Sequence, residues 1–282
     1  MIVLELNNIT TGEIIKRPSA FCKTPYVADV QLNDTTNILG HPPALGCCGL
    51  SDKGAEVILS KMNNEKTKCS HKVEIAIYRE NNNTIFVGIN PKLAENIAES
   101  CLKNNCLPFL QNHISYRREV TYLNSRFDFS GIDQNGKTFY MEIKNVPLAD
   151  YVDCIKKERK NHIEYINNCE FNDKISYFPD GYRKNKNQVV SPRALKHIEE
   201  LEQIALTTDY RAILCFVIQR NDVKQFQPSN LDLTYKQAVQ KAYLNGVEIK
   251  TLQVSWNKEG QATYIEKQLP IVLFDTEGPF QI

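Results

Sequence analysis

The stretch RFDFSGIDQNGKTFYMEIK, residues 126–144, decides how this chain is read. Polar and apolar residues alternate along both of its halves, and Asn135-Gly136 lies between them. That pattern predicts a β-hairpin with strands over 126–132 and 138–144. Because successive strand residues point to opposite faces, Tyr140, Glu142 and Lys144 share one face and Phe139, Met141 and Ile143 the other. On the first strand the same rule puts Arg126, Asp128 and Ser130 opposite Phe127 and Phe129, so one charged and one apolar face are expected. A two-residue Asn-Gly turn sets Asp128 against Ile143. A three-residue loop, Gln134-Asn135-Gly136 with Gly136 left-handed, sets Asp128 against Glu142. A one-residue slip inverts a strand's faces, so the longer loop is the expected one.

Two carboxylates and a lysine brought together in this way carry specific chemistry. Phosphodiester cleavage needs a cation that activates water and offsets charge growing on the phosphate. Hard ions such as Mg²⁺ or Mn²⁺ take carboxylate and carbonyl oxygens. Asp128, Glu142 and the carbonyl of Ile143 are therefore the candidate metal ligands. Asp128, Glu142 and Lys144 are the candidate catalytic set, with the Lys144 ammonium orienting water or stabilising phosphate charge. The competing reading is a solvated sheet face, on which alternating Glu and Lys are common.

Outward from the hairpin, residues 12–16, 26–32, 72–78 and 84–88 read as short strands separated by turns, the pattern of a small barrel. Asn90 and Pro91 open a helix to about residue 104, with Leu93, Ile97 and Leu102 as its apolar stripe. Residues 114–120 form a strand before the hairpin. Ser191-Pro192 opens a helix through 206. The run 212–218 is almost wholly apolar, as in a strand covered on both faces. A helix over 233–244 and strands over 247–255 and 264–269 follow. These elements predict an α/β (α+β) chain of two domains: a small β-barrel over 1–89 and an αβββαβ core over 90–282. Residues 151–174 and 181–190 read as polar, basic insertions.

The chain of 282 residues is 42% hydrophobic and 24% charged, ordinary values for a packed protein. Its net charge of +1 leaves any nucleic-acid contact to local basic patches. No segment is apolar for long enough to span a bilayer, and the first residues lack a secretory pattern. Nine cysteines, an odd number without repeated spacing, suggest free thiols in a reducing compartment, cytoplasm or nucleus. A zinc site from Cys47 or Cys48 with Cys69 and His71 is an alternative with only one closely spaced ligand pair.

An ordered set of short motifs adds a resemblance. Ser125 to Phe129, Glu142 to Val146, Phe178-Pro179-Asp180, Lys196 to Leu201, Phe216 to Arg220, Gly246 to Ile249 and Leu269-Pro270 follow one another as in the sugar fermentation stimulation protein family. Arg17-Pro18 with Phe21, and His41 with Pro43 and Gly46, extend the resemblance to the N-terminal half. It implies an OB-fold, a PD-(D/E)XK nuclease-type domain and nucleic-acid binding, with DNA favoured over RNA. It maps the site onto Asp128, Glu142 and Lys144, adds Glu119 as a further acid, and sets Arg193, His197 and Glu200 on a helix beside it. Arg17, Arg126, Arg193, His197 and Arg220 are the candidate nucleic-acid contacts. Gly181-Tyr182-Arg183, Ala194 and Ala20 depart from the family pattern, which bears on substrate choice and leaves the carboxylates in place. Lys156, Lys157, Arg159 and Lys160, and Arg183, Lys184 and Lys186, are basic clusters that would hold a phosphate backbone. Tyr26 and Phe21 are either stacking platforms or barrel core. A regulator that binds nucleic acid through a silent site, or a scaffold that docks a protein on its insertions, are the alternatives to an enzyme.

Overall fold

The computed structural model describes residues 1–44, 47, 49–63, 67–155, 157–179 and 189–274. Its elements in chain order begin with β1 (Ile2–Glu5), β2 (Ile9–Lys16), β3 (Ala28–Leu32), β4 (Asn37–His41), β5 (Glu56–Lys61), β6 (His71–Glu80), β7 (Asn83–Gly88) and α1 (Pro91–Lys103). Then come β8 (Ser115–Tyr122), β9 (Ser125–Ile132), β10 (Thr138–Val146), β11 (Ala149–Asp150), α2 (Ile163–Asn167) and β12 (Lys174–Phe178). The chain continues through α3 (Pro192–Thr207), β13 (Arg211–Ile218), β14 (Val223–Pro228), α4 (Leu233–Leu244), β15 (Glu248–Trp256) and β16 (Gln261–Ile265).

Strands β2 to β6 close a five-stranded barrel. β2 pairs with β3 and β5, β3 with β4, β5 with β6, and a parallel bridge from β4 to β6 shuts the ring. This is the OB order, filled by Ile14, Val30, Val57, Leu59, Val73 and Val87. The sheet does not stop at the barrel. It runs through β7 into β15, β13, β10, β9 and β8. β1 joins this second part, pairing with β16 rather than with the barrel. A separate three-stranded sheet, β11-β12-β14, lies on segments read from sequence as loop or left unassigned. The 151–174 segment contains the short helix α2 and two 3₁₀ turns rather than open loop. Residues 180–188, with the basic cluster Arg183, Lys184 and Lys186, lie outside the described residues, as do Gly46, Cys48 and Lys156.

The second part carries helices on both faces. On one, Leu93, Ile97 and Cys101 of α1 pack on Met141, Ile143, Cys215 and Val217. On the other, Ile198 and Leu201 of α3 and Val239 of α4 pack on Tyr140, Leu214 and Phe216. β10 and β13 run parallel between these layers, which explains the unbroken apolar run in β13.

The 126–144 hairpin has the longer loop. Ile132 pairs with Thr138, Asp133 N–H donates to the Lys137 carbonyl at 2.8 Å, and Gly136 has φ 80°. Continuing the register brings Asp128 opposite Glu142. The expected division into one apolar and one charged face does not hold, because both faces are buried. Phe129 packs toward α1 whereas Phe127 packs toward α3, against Tyr140 and His197. β9 turns over at Asp128, where its ladder to β10 has ended at Phe129↔Met141 and where the facing residue on β8, Glu119, has φ 54°. Among the described residues, no helix is long and apolar enough to cross a membrane, and Cys22, Cys69, Cys101, Cys106, Cys154, Cys169 and Cys215 are free thiols.

Candidate functional site

β10 lies between β9 and β13, and its parallel register with β13 pairs Glu142 with Leu214 and Lys144 with Phe216. Glu142 and Lys144, two residues apart, therefore project from one strand face. At the point where β9 leaves the ladder, the Asp128 carboxylate takes over as acceptor for the Ile143 N–H at 2.7 Å. This bond satisfies a donor that the departing strand would have left unpaired, and it fixes Asp128 beside Glu142. Asp128, Glu142, Ile143 and Lys144 together line an open cleft of about 550 Å³. Tyr26, Pro43 and Ala44 of the barrel form one wall of the cleft, and Ser191 and Arg193 at the start of α3 form another.

The charges are closely coupled. Burial, then the neighbouring Glu142 charge, pushes the Asp128 carboxyl up to about 7, against the lowering effect of the Ile143 N–H and Lys144. Burial also pushes Glu142 up, but the Lys144 charge and the hydrogen bond from His197 more than offset it, so its net shift is downward. One oxygen of Glu142, Oε1, accepts from both Lys144 Nζ, at 2.5 Å, and His197 Nδ1. The other, Oε2, is buried and has no hydrogen-bond partner among the described residues. An unpaired buried carboxylate oxygen is costly, and a cation is one of the few things that compensates it. Two carboxylates, one with a free oxygen, beside a strand backbone form the hard-oxygen donor set that Mg²⁺ or Mn²⁺ prefers, so the residues fit such an ion.

The other expected site residues are distributed unevenly. Arg193 lines the cleft, one residue into the α3 helix that Ser191 caps by accepting from Ala194 N–H. His197 does not reach the surface. It is 4% exposed, bonded to Glu142 and packed on Phe127, so it holds the carboxylate from behind rather than meeting a phosphate. Glu200, one turn on, is buried, with Oε2 unpartnered. Glu119 stands outside the cleft lining, half-exposed, within 3.8 Å of Lys92 and 3.5 Å of Arg126, and Arg126 is similarly exposed. Arg17 spends its guanidinium on the carbonyls of Pro25 and Ala44, both at 2.7 Å, and on Ser51, so it braces a barrel loop. Arg220 is 2% exposed, forked onto Asp222 at 2.6 and 2.7 Å and bonded to the Pro147 carbonyl, with no surface to offer a nucleic acid.

Glu95 was not anticipated. It projects from α1 into the same cleft, is held by Arg118 at 2.9 Å, and contributes to raising Asp128. Its sequence signal is slight: an acid next to the apolar stripe, one turn before Glu99, which also bonds Arg118. Both aromatics weighed as stacking platforms are exposed rather than core, Tyr26 on the cleft wall and Phe21 nearby in sequence on the same loop. Among the described residues, no group of three or more His, Cys, Asp or Glu side chains is gathered to hold a metal, Cys47, Cys69 and His71 included; the alternative ligand Cys48 lies outside the described residues.

Comparison with known proteins agrees with this architecture. The family model described as the sugar fermentation stimulation protein RE domain matches residues 92–156 and 149–260. A sugar fermentation stimulation protein homolog of Brucella anthropi is 32% identical over 243 residues, covering 85% of this chain and 88% of that protein. The homolog of Trichodesmium erythraeum is 30% identical over 247 residues, covering 86% and 84%. The solved structure of Pyrococcus furiosus SfsA in complex with Ca²⁺ superposes with a TM-score of 0.74 at 18% identity, covering 96% of this chain and 99% of that one.

Proposed function

This chain belongs to the sugar fermentation stimulation protein family, and we propose that it is a metal-dependent nuclease that cleaves phosphodiesters in nucleic acid, with DNA as the substrate. The observation that carries this reading is the convergence of Asp128, Glu142 and Lys144 in one cleft, with a buried oxygen of Glu142 left unpaired. Asp128, Glu142 and the carbonyl of Ile143 would hold the ion, and a relative of the same fold has been solved in complex with Ca²⁺, another oxygen-seeking cation. When bound, Mg²⁺ or Mn²⁺ supplies Lewis acidity toward water and a phosphate oxygen.

The chain's own groups do the rest. His197 and Lys144 fix the rotamer of Glu142 by bonding its Oε1. Lys144, its side chain 11% exposed and lining the cleft, would orient the attacking water or stabilise charge on the phosphate. Arg193 and the positive end of α3 face the same space, where a phosphate gains both a charged fork and helix-terminal N–H groups. The free thiols suit a reducing compartment such as the cytoplasm.

The test is incubation with labelled DNA and RNA in Mg²⁺, Mn²⁺ or chelator. Cleavage is expected with metal only. Asp128→Ala and Glu142→Ala should abolish it while DNA binding persists, since each removes negative charge from a phosphate-binding cleft. Binding without metal-dependent cleavage by the wild type would establish the regulator reading instead. Cleavage surviving both substitutions would remove this site from consideration.

A further inference from the structure

The loop of residues 17–27, which joins the first two strands of the barrel, plays no part in the chemistry above. It carries two large aromatic side chains into solvent. Phe21 is 84% exposed, the most exposed large hydrophobic side chain among the described residues, and Tyr26 is 43% exposed on the cleft wall shared with Asp128 and Glu142. A ring held in water forgoes the gain of burial, so two on one short loop call for something that covers them.

The backbone beneath these rings is pinned. Arg17 bonds the Pro25 and Ala44 carbonyls, and the Asp29 carboxylate accepts from Ala20 N–H at 2.9 Å and from Ser19 Oγ. Phe21 N–H donates to Ser19 Oγ at 3.1 Å, and the Tyr26 carbonyl is bonded by His41 Nδ1 at 2.9 Å. The rings are thus presented on a braced support, which lowers the ordering cost of binding a flat partner.

We infer that this loop is a stacking platform for the bases of a single-stranded nucleic-acid segment whose backbone crosses the Asp128–Glu142 cleft. The inference rests on the nucleic-acid reading of the site and adds the form of substrate. Exposed aromatic rings beside cationic side chains, here Lys144 and Arg193 of the cleft, are what sequence-tolerant single-strand binding uses, because every base has a face to stack. In a duplex those faces are covered by neighbouring pairs, and only an unpaired or extruded base can offer one. The cleft is lined by Tyr26 of the barrel and by Arg193 at the start of α3, so a chain that enters it can meet both. The first loop of an OB barrel is also a position from which such barrels bind oligonucleotides in general.

The test is fluorescence anisotropy in chelator, so that no cleavage is needed. The probes are labelled oligo-dT, oligo-rU, a blunt DNA duplex, and the duplex with a single-stranded tail. The tailed and single-stranded probes should bind more tightly than the blunt duplex, and the dT and rU arms separate DNA from RNA. Phe21→Ala and Tyr26→Ala should each weaken single-strand binding about tenfold, with Tyr26→Phe retaining most of it and the blunt duplex little changed. Both side chains are exposed, so equal melting temperatures will confirm folding. Equal affinity for blunt duplex and single strand, unchanged single-strand affinity in both alanine variants, or no binding of any probe would overturn the inference. Failure of the nuclease reading looks different: aromatic-dependent single-strand binding with no cleavage when metal is added.

Discussion

At Asp128 two requirements oppose each other. The carboxylate must be ionised to hold a cation, yet burial and Glu142 push it up to about 7 from 3.8. The folded protein therefore keeps a proton on Asp128 over pH 4–7 that the unfolded chain has already released. The stability this group contributes is complete below about pH 4, declines as pH rises through 7, and is level above that. Asp128→Asn removes this dependence while its side-chain oxygen still accepts the Ile143 N–H. In chelator the variant should match wild type near pH 4 and melt several degrees higher at pH 8. Mg²⁺ should raise the wild-type melting temperature at pH 8 and leave the variant nearly unmoved. Equal melting curves at both pH values would show that the carboxylates do not strain the metal-free fold. The same residues show what was legible in sequence. Loop length and the parity of β10 sufficed to bring Asp128, Glu142 and Lys144 together, although the parity expected of β9 fails where Phe127 and Phe129 pack on opposite faces. Burial did not show: His197 and Arg220 sit where helix and strand reach the cleft region, but each is turned inward onto a carboxylate, Glu142 or Asp222. Glu95 was hidden because nothing in α1 alone reveals that its acidic edge meets Arg118 of β8.

At the scale of the element, the 126–144 hairpin is held by its loop chemistry. Gly136 N–H donates to the Asp133 carbonyl at 3.1 Å, and Asp133 Oδ1 accepts from Asn135 and Lys137 N–H at 2.8 and 2.9 Å. Asp133 Oδ2 pairs with Arg211 at 3.1 Å, tying the loop to β13. A Cβ on Gly136 meets nothing within 4 Å, so a substitution there pays only for positive φ. Gly136→Val should cost about 1–2 kcal/mol and Gly136→Asn less, because asparagine tolerates that region. Asp133→Ala should cost more, about 2–3 kcal/mol, since the Asn135 and Lys137 N–H groups and Arg211 all lose this acceptor. Thermal melts of the three variants give the order, and Asn equal to Val would show that backbone conformation is not the cause. Such turn signals made this hairpin readable, and cap signals did the same for α1 and α3. β5 was not read because its apolar run, Val57 to Leu59, is short and crosses a register shift. β12 and β14 were missed because they are short, five and six residues, and belong to a small sheet with β11 that stands apart from the main one.

The whole molecule departs most from a reading in which a barrel ends and a second domain begins. β1 pairs with β16 beside β15, β7 continues the barrel into β15, and neither long-range pairing has a local signal. Buried polar groups tie the two parts further. Gln219 donates to Asn145 at 2.7 Å and accepts from Trp256 at 3.0 Å, next to Gly88, where any Cβ would fall within 2.1 Å of the Gln219 side chain. Lys174, with its side chain 2% exposed, joins Glu80 of β6 at 2.8 Å to Asp222 at 3.2 Å and lies 3.7 Å from the Phe171 ring centroid. Asp222 in turn holds Arg220, whose guanidinium faces Tyr78 of β6. A cleft assembled from both parts needs them locked, and the prediction is that they unfold as one. Trp256 is the single tryptophan and sits at the junction, so its fluorescence reports the seam while far-ultraviolet dichroism reports all elements. In urea the two midpoints should coincide. Lys174→Met keeps the bulk but leaves Glu80 and Asp222 without their shared cation, and breaking a buried pair from one side costs about 3–5 kcal/mol. Both midpoints should fall together by that amount. A variant whose fluorescence transition moves to lower urea while the dichroism divides into two steps would mean that the barrel is an independent unit, held to the second part chiefly by this cluster.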